Sequence, residues 1–135
     1  MSVTTDFAAP SMRQVWTGRI LSGIAILFLL FDAVIHLAKP APVVTAFGEL
    51  GYPLSASAPI AIIEFVCVLL YIVPRTSILG AVLLTGYLGG AIATQLRIGA
   101  PLFSTLLFPI YVALFVWGGL YLREPIVRKI IPARR

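Results

Sequence analysis

Residues 16–40 read WTGRILSGIAILFLLFDAVIHLAKP, an apolar run with few interruptions. At a rise of about 1.5 Å per residue, some 20 apolar residues cross a hydrocarbon core of about 30 Å. Residues 17–37 supply that length, and Pro40 and Pro42 end the helix. Asp32 and His36 interrupt the run four residues apart, so they lie on one face of the helix. The stretch predicts a membrane-spanning helix that carries two polar groups.

The composition extends this interpretation to the whole chain. Of 135 residues, 60% are hydrophobic and only 11% are charged, so the lipid bilayer is the predicted partner. The first apolar run is too long for a cleavable signal peptide. Further apolar runs at 57–73, 77–96 and 102–122 predict three more spans. The predicted fold is an all-α, four-helix transmembrane bundle over residues 14–125, with a flexible tail at 1–13 and a basic tail at 126–135.

The segment between the first two spans, residues 41–57, is too polar and too short to cross the bilayer. Its front part, PVVTAFGEL, has apolar residues at Val43, Val44, Phe47 and Leu50. This spacing favours a short interfacial helix with Phe47 and Leu50 dipped into the headgroup region. A simple loop is the alternative.

The distribution of Lys and Arg predicts the orientation. Eight of the ten lie near the termini or in the loop at Arg75, while Lys39 and Arg97 lie on the other side. The positive-inside rule places both termini in the cytoplasm, in a bacterial-type inner membrane, and residues 41–57 outside. Because the basic residues flank apolar runs and do not cluster on a water-exposed face, nucleic-acid binding is not predicted.

This topology brings polar residues from three spans to one side of the membrane. They are Asp32, His36, Glu64, Thr94, Gln95 and Arg97. Asp32 and Glu64 should each lie about 8 Å below the outer interface. Charges at such depth are costly and usually face the bundle interior, so we expect a polar pocket for ligand binding or proton transfer. In it, Arg97 would pair with Asp32 or Glu64, and His36 would exchange protons, as imidazoles do near neutral pH.

The alternative reading of these residues is purely structural. A buried ion pair can set the helix register, and Asp32 and His36 can satisfy one another at a spacing of four. Arg97 can reach the surface without a partner.

The third span adds candidates of two kinds. Gly86 and Gly90 form a small-residue stripe that predicts close helix packing, either within the bundle or between two copies in a homodimer. Aromatic residues near span ends, including Tyr71 and Trp117, are predicted to form interfacial belts. Tyr87 lies nearer mid-span and is a further candidate for the pocket.

The chain contains one cysteine, Cys67, and one histidine, His36. No intrachain disulfide or CxxC redox pair can therefore form, and Cys67 is interpreted as a packing residue. One histidine and one cysteine are few ligands for zinc, haem or iron–sulfur groups, so no bound metal or tightly held cofactor is predicted. These residues do not predict a self-sufficient enzyme.

Several blocks of the sequence resemble the DoxX-like family of membrane proteins over residues 16–125. They are Phe31-Asp32, Lys39-Pro40, Leu50-Gly51-Tyr52-Pro53, Tyr71 with Pro74-Arg75-Thr76, Leu79-Gly80-Ala81, residues 84–91 (LTGYLGGA), Arg97, Gly99, Pro101-Leu102-Phe103 and Trp117-Gly118-Gly119-Leu120. The resemblance implies a four-helix membrane bundle, related to the small quinone-linked subunit of thiosulfate:quinone oxidoreductase and to proteins that act with membrane redox systems. The chain departs from the family at Gln95, where relatives often carry histidine before Leu-Arg, which leaves His36 for any proton chemistry.

Three functional hypotheses follow. The first is a subunit of a membrane redox system that binds a quinone or small amphiphile and takes its electrons from a partner protein. The second is a proton-coupled transporter of small solutes, based on the intramembrane Glu64. The third is an inert scaffold that holds a soluble redox partner through the basic tail.

Overall fold

The computed structural model describes residues 9–131, which form six α-helices and no strand. The helices are α1 (Met12–Ala38), α2 (Ala41–Leu50), α3 (Ser57–Ile72), α4 (Ser77–Arg97), α5 (Phe108–Arg123) and α6 (Pro125–Ile130). Four segments are long and apolar enough to cross a membrane: Met12–Ala38, Leu54–Ile72, Pro74–Arg97 and Leu102–Arg123. The all-α, four-span prediction is confirmed.

Local sequence signals account for the ends of the first helix. The Ser11 side chain accepts a hydrogen bond from the Gln14 backbone, and the Gln14 side chain accepts one from the Ser11 backbone, which is a capping box. At the other end Lys39 adopts a left-handed conformation, with φ of 53°, and Pro40 follows. Residues 1–8 and 132–135 of the two predicted tails lie outside the described residues.

The four long helices pack in a ring in which α1 and α4 each contact both α3 and α5. The periodicity of α3 shows how the ring is oriented. Ala61, Glu64 and Val68 are buried toward the bundle, whereas Ile62 and Phe65 are exposed on the outside. Large exposed apolar side chains of this kind are expected where the surrounding solvent is lipid.

Helix backbones come into close contact at glycines near the end of the bundle that carries the two chain termini, called here the termini end. A Cβ built on Gly18 of α1 would lie 2.7 Å from the Gly119 carbonyl oxygen of α5. A Cβ built on Gly80 of α4 would lie 2.6 Å from the Tyr71 Cα atom of α3. Both glycines are therefore required where they stand, because a side chain would force the helices apart.

The close packing predicted for Gly86 and Gly90 within the bundle is not observed, and the homodimer alternative stays a prediction. A Cβ built on either glycine meets no atom within 4 Å, so neither one mediates close contact within the bundle. Both residues border an open cavity instead. A stripe of small residues shows only that large side chains are absent from that helix face. Whether a neighbouring backbone packs there depends on the position of the neighbouring helix.

The assignment of Tyr71 to an interfacial belt is also wrong. Its side chain is fully buried, its hydroxyl donates to the Val116 carbonyl at 2.7 Å, and it lies 2.7 Å from the Ser22 hydroxyl. Arg123 packs over the same ring, 5.7 Å from its centroid. Tyr71 thus joins α1, α3 and α5 inside the termini end.

Residues 41–50 form the predicted short helix α2, which excludes the loop alternative. The Phe47 and Leu50 side chains, which were predicted to dip into the headgroup region, face the bundle instead. Phe47 is only 5% exposed, and both Phe47 and Leu50 line the cavity. The α2 helix therefore lies over the other end of the bundle, called here the α2 end.

The chain after α5 folds back on that helix. Val127 of α6 is buried, and the Arg128 guanidinium donates to the Tyr121 and Leu122 carbonyl oxygens at 2.7 and 2.8 Å. Arginine satisfies carbonyl groups that have no partner at a helix C-terminus. The described part of the predicted basic tail, up to Ile131, is thus attached to the bundle.

Candidate functional site

A cavity of about 530 Å³ opens between the four long helices at the α2 end. Its polar lining comprises Asp32, His36, Glu64, Tyr87, Thr94, Gln95, Tyr52, Ser104 and Thr105. Its apolar walls include Phe28, Leu29, Ile60, Leu88 and Phe108, with Phe47 and Leu50 contributed by α2. Six of the seven residues predicted for the pocket, all but Arg97, therefore line a single cavity.

Asp32 and His36 form the part of the site that α1 contributes. The His36 Nδ1 atom lies 2.7 Å from the Asp32 backbone carbonyl and 3.4 Å from the Asp32 carboxylate. A carbonyl oxygen can only accept, so Nδ1 carries the proton and donates. The neutral ring then keeps its lone pair on Nε2. The pair satisfies the spacing-of-four expectation and leaves one imidazole nitrogen available to a ligand.

Glu64 of α3 is the most enclosed charged residue of the site, with no exposed surface. The Tyr87 hydroxyl of α4 donates to its Oε2 atom at 3.1 Å. Its Oε1 atom is buried and has no hydrogen-bond partner within residues 9–131. Burial of a carboxylate oxygen without a partner is costly, so this position favours a hydrogen-bond donor or a cation beside Oε1.

The carboxylates and the imidazole converge. One carboxylate oxygen of Asp32, one of Glu64 and one ring nitrogen of His36 all lie within 4.8 Å of one another. Side chains from α1 and α3 meet here because Asp32 and Glu64 lie at equivalent depths of antiparallel neighbouring helices, as the sequence predicted. The group can accept hydrogen bonds, exchange protons or bind a cation.

Two contacts tie this cluster to the α2 end. The buried Ser57 hydroxyl, at the start of α3, donates to the His36 backbone carbonyl. The Phe47 ring packs edge-on against the His36 imidazole, with centroids 5.9 Å apart. The orientation of His36 therefore depends on both α2 and α3.

Arg97 does not occupy its predicted place. Among residues 9–131 the ion pairs join His36 to Asp32 and Arg123 to Glu124, so Arg97 pairs with neither acid. Its side chain is exposed and lies outside the cavity lining. Its guanidinium lies instead near Gly51, where a Cβ would be 3.9 Å from the Arg97 Nη2 atom. Thr94 and Gln95, by contrast, line the cavity.

Sequence reasoning missed the contribution of the segment before α5. Residues Leu102–Leu106 form a π-helical turn, and Ser104 and Thr105 from it line the cavity. Tyr52 was also missed; its hydroxyl lies 3.5 Å from that of Thr94. The available sequence signal was the pair of hydroxyl residues at 104–105 in an otherwise apolar run. The π-turn itself agrees with a functional role, because such turns often occur at functional sites.

Fold and site together define a class of protein: a four-helix membrane bundle with a cavity that ends in two carboxylates, an imidazole and a phenol. The chain belongs to the DoxX-like family, whose family model matches residues 20–119. That range contains every residue that lines the cavity. No match to the chain was found among curated proteins or among solved structures.

Proposed function

We propose that this protein binds a quinone or a similar small amphiphile in the cavity, as a subunit of a membrane redox system. The main observation in support is that a single cavity combines apolar walls with a polar end. Phe28, Leu29 and Phe108 offer an apolar surface to a ring or tail, while Asp32, His36 and Tyr87 supply polar groups for a head group.

The dimensions of the cavity support this assignment. Small-molecule sites usually enclose about 300–1,000 Å³ and combine mostly apolar walls with a few placed polar groups. The volume of about 530 Å³ falls inside that interval. Gly86 and Gly90 contribute to it because they place no side chain on the α4 wall.

Proton exchange at the polar end suits quinone chemistry. Reduction of a quinone takes up two electrons and two protons, and the polar groups would supply and orient the protons. His36 and Asp32 are part-exposed, with side-chain exposures of 19% and 27%, and both line the open cavity, through which protons would reach them. The electrons would come from a partner protein.

The proposed setting is a cytoplasmic membrane of bacterial type with both termini in the cytoplasm. Eight of the ten Lys and Arg residues lie at the termini end or in the adjoining sequence, which supports this orientation. The cavity would then open near the outer leaflet. A soluble redox partner would meet the basic face of the termini end.

A pair of neighbouring glycines provides the test. Gly89 and Gly90 each have open space at the Cβ position, but only Gly90 lines the cavity. Gly90→Leu should fill part of the cavity without disturbing the packing, whereas Gly89→Leu adds the same side chain outside the lining. The assay measures binding of short-tail ubiquinone to the chain in nanodiscs by equilibrium partition, with a metal chelator present. The affinity should fall at least about tenfold in Gly90→Leu and stay unchanged in Gly89→Leu.

Polar variants make the test specific for the head group. Asp32→Asn and Glu64→Gln should weaken ubiquinone binding while α-helicity is retained. If the wild-type chain shows no saturable binding, or if the two leucine variants bind alike, the proposal is wrong. Proton flux in vesicles that depends on Glu64 and needs no quinone would favour the transporter hypothesis. The scaffold hypothesis would be favoured if deletion of residues 127–135 abolished the activity of the redox system while variants of the cavity residues did not.

A further inference from the structure

We propose that Asp32, His36 and Glu64 form a binding site for a divalent first-row transition-metal ion at the polar end of the cavity. The site uses side chains that also line the proposed amphiphile site, but metal binding does not depend on a bound amphiphile. It requires only the three side chains and the space between them.

The donor atoms lie near the separation that a common ion requires. Two ligands of one cation can be no farther apart than the sum of their two bond lengths, which is about 4.0–4.4 Å for zinc bonds of about 2.0–2.2 Å. One oxygen of each carboxylate and one ring nitrogen of His36 lie within 4.8 Å of one another. The three side chains therefore have to draw closer together around the ion.

Glu64 provides a second observation that points to a ligand. Its side chain is fully buried in the cavity wall, and its Oε1 atom has no hydrogen-bond partner within the described residues. Tyr87 already occupies the other oxygen. A cation would satisfy the orphaned oxygen, and the Tyr87 hydroxyl would then orient the ligating carboxylate, as outer-shell hydrogen bonds do in metal sites.

His36 has the arrangement of a metal ligand. Metal-ligating histidines usually donate one ring N–H to a carbonyl or carboxylate, which orients the ring and leaves the other nitrogen for the metal. The His36 Nδ1 atom makes that bond to the Asp32 carbonyl at 2.7 Å. The edge-on Phe47 ring further restricts the imidazole.

The charges of the site favour a divalent cation. When metal binding displaces their protons, Asp32 and Glu64 bring two negative charges together, and in residues 9–131 no Lys or Arg pairs with either of them. A dipositive ion compensates both charges. The mixed set of one imidazole and two carboxylates suits manganese, iron(II) or zinc better than magnesium or calcium, which prefer oxygen ligands alone. Since all three side chains line the cavity, further ligands would enter from it.

The experiment uses the full, tag-free chain, stripped of metal with chelator and titrated with Zn²⁺ by calorimetry without any quinone. We expect one Zn²⁺ per chain. Glu64→Gln, Asp32→Asn and His36→Gln should each lower the affinity at least about tenfold, which is the loss typical even of outer-shell partners. Glu49→Gln is the matched control, because Glu49 is exposed on α2 and outside the cavity. Mg²⁺ at the same concentrations should not compete.

A spectroscopic signature identifies the ligands. His36 is the only histidine in the chain, so imidazole scattering in the zinc X-ray absorption spectrum can come from no other residue. If Glu64→Gln fails to fold, Asp32→Asn and His36→Gln carry the test, since both side chains are part-exposed.

Absence of saturable Zn²⁺ binding, or equal affinity in Glu64→Gln and Glu49→Gln, would overturn the site. So would a zinc spectrum without imidazole. Because quinone binding is measured with chelator and Zn²⁺ binding without quinone, failure of one proposal is distinguishable from failure of the other.

Discussion

Two glycine-to-alanine substitutions on α4 should have opposite effects on stability. Gly86 has open space where the methyl group would lie, so Gly86→Ala should gain about 0.5–1 kcal/mol from helix propensity. Gly80→Ala places the methyl 2.6 Å from Tyr71 Cα and 2.8 Å from the Leu70 carbonyl carbon. These atoms are backbone and cannot rotate away. Overpacking of this kind costs about 1–3 kcal/mol.

The expected difference between the variants is about 1–3 kcal/mol. Both substitutions gain the same helix propensity, so the difference equals the cost of overpacking at Gly80. The assay is reversible unfolding of the detergent-solubilised chain in sodium dodecyl sulfate, followed by circular dichroism. Gly89→Ala, on the same helix and also unobstructed, is the control and should behave like Gly86→Ala.

The result that would refute this reasoning is specific. If Gly86→Ala destabilises the bundle as much as Gly80→Ala, then Gly86 packs against a helix after all. In that case the cavity wall is not where the structure places it.

Three further effects follow from contacts at the α2 end. Tyr87→Phe removes the hydrogen bond to Glu64 Oε2 and should lower the unfolding free energy by about 1–3 kcal/mol, an effect that should vanish in a Glu64→Met background when measured as a double-mutant cycle. Ser57→Ala leaves the His36 carbonyl without its hydroxyl donor and should cost about 1 kcal/mol in the same unfolding assay, with helicity unchanged. Phe47→Ala should uncover the His36 ring and increase its access to water-soluble carbethoxylating reagent, and a wild-type reaction rate would contradict the role of α2 as a cover.

The number of the spans could be predicted because it depends on local properties. Each apolar run is long enough to cross a bilayer, and Pro40, Pro74 and Pro125 lie at or near helix ends where proline is tolerated. Convergence of Asp32 and Glu64 also followed from counting residues, because antiparallel helices of constant rise bring equal depths together. The position of each residue along the bundle axis could therefore be predicted from the sequence.

Positions around the bundle could not be read in the same way. Tyr71 and Tyr87 are both span tyrosines in apolar surroundings, yet one is bonded to Ser22 in the core and the other to Glu64 in the cavity. Arg97 ends α4 at the same end of the bundle as the acids but lies outside the cavity that they line. These differences depend on which helices are neighbours, and the ring order is set by contacts far apart in sequence.

The glycines explain why the cavity lies at the α2 end. At the termini end, Gly18 meets Gly119 and Gly80 meets Tyr71 at backbone contact, so α1 is held against α5 and α3 against α4. No such contacts exist at Gly86 and Gly90, where small residues face open space bounded by α2. Close packing at one end sets the helix positions, and absent side chains at the other leave room that Glu64 and His36 border. The cavity should therefore lose ligand binding by two separable routes. Gly90→Leu should fill the cavity without loss of stability. Gly80→Ala should force the helices apart, so that ligand binding and stability are lost together.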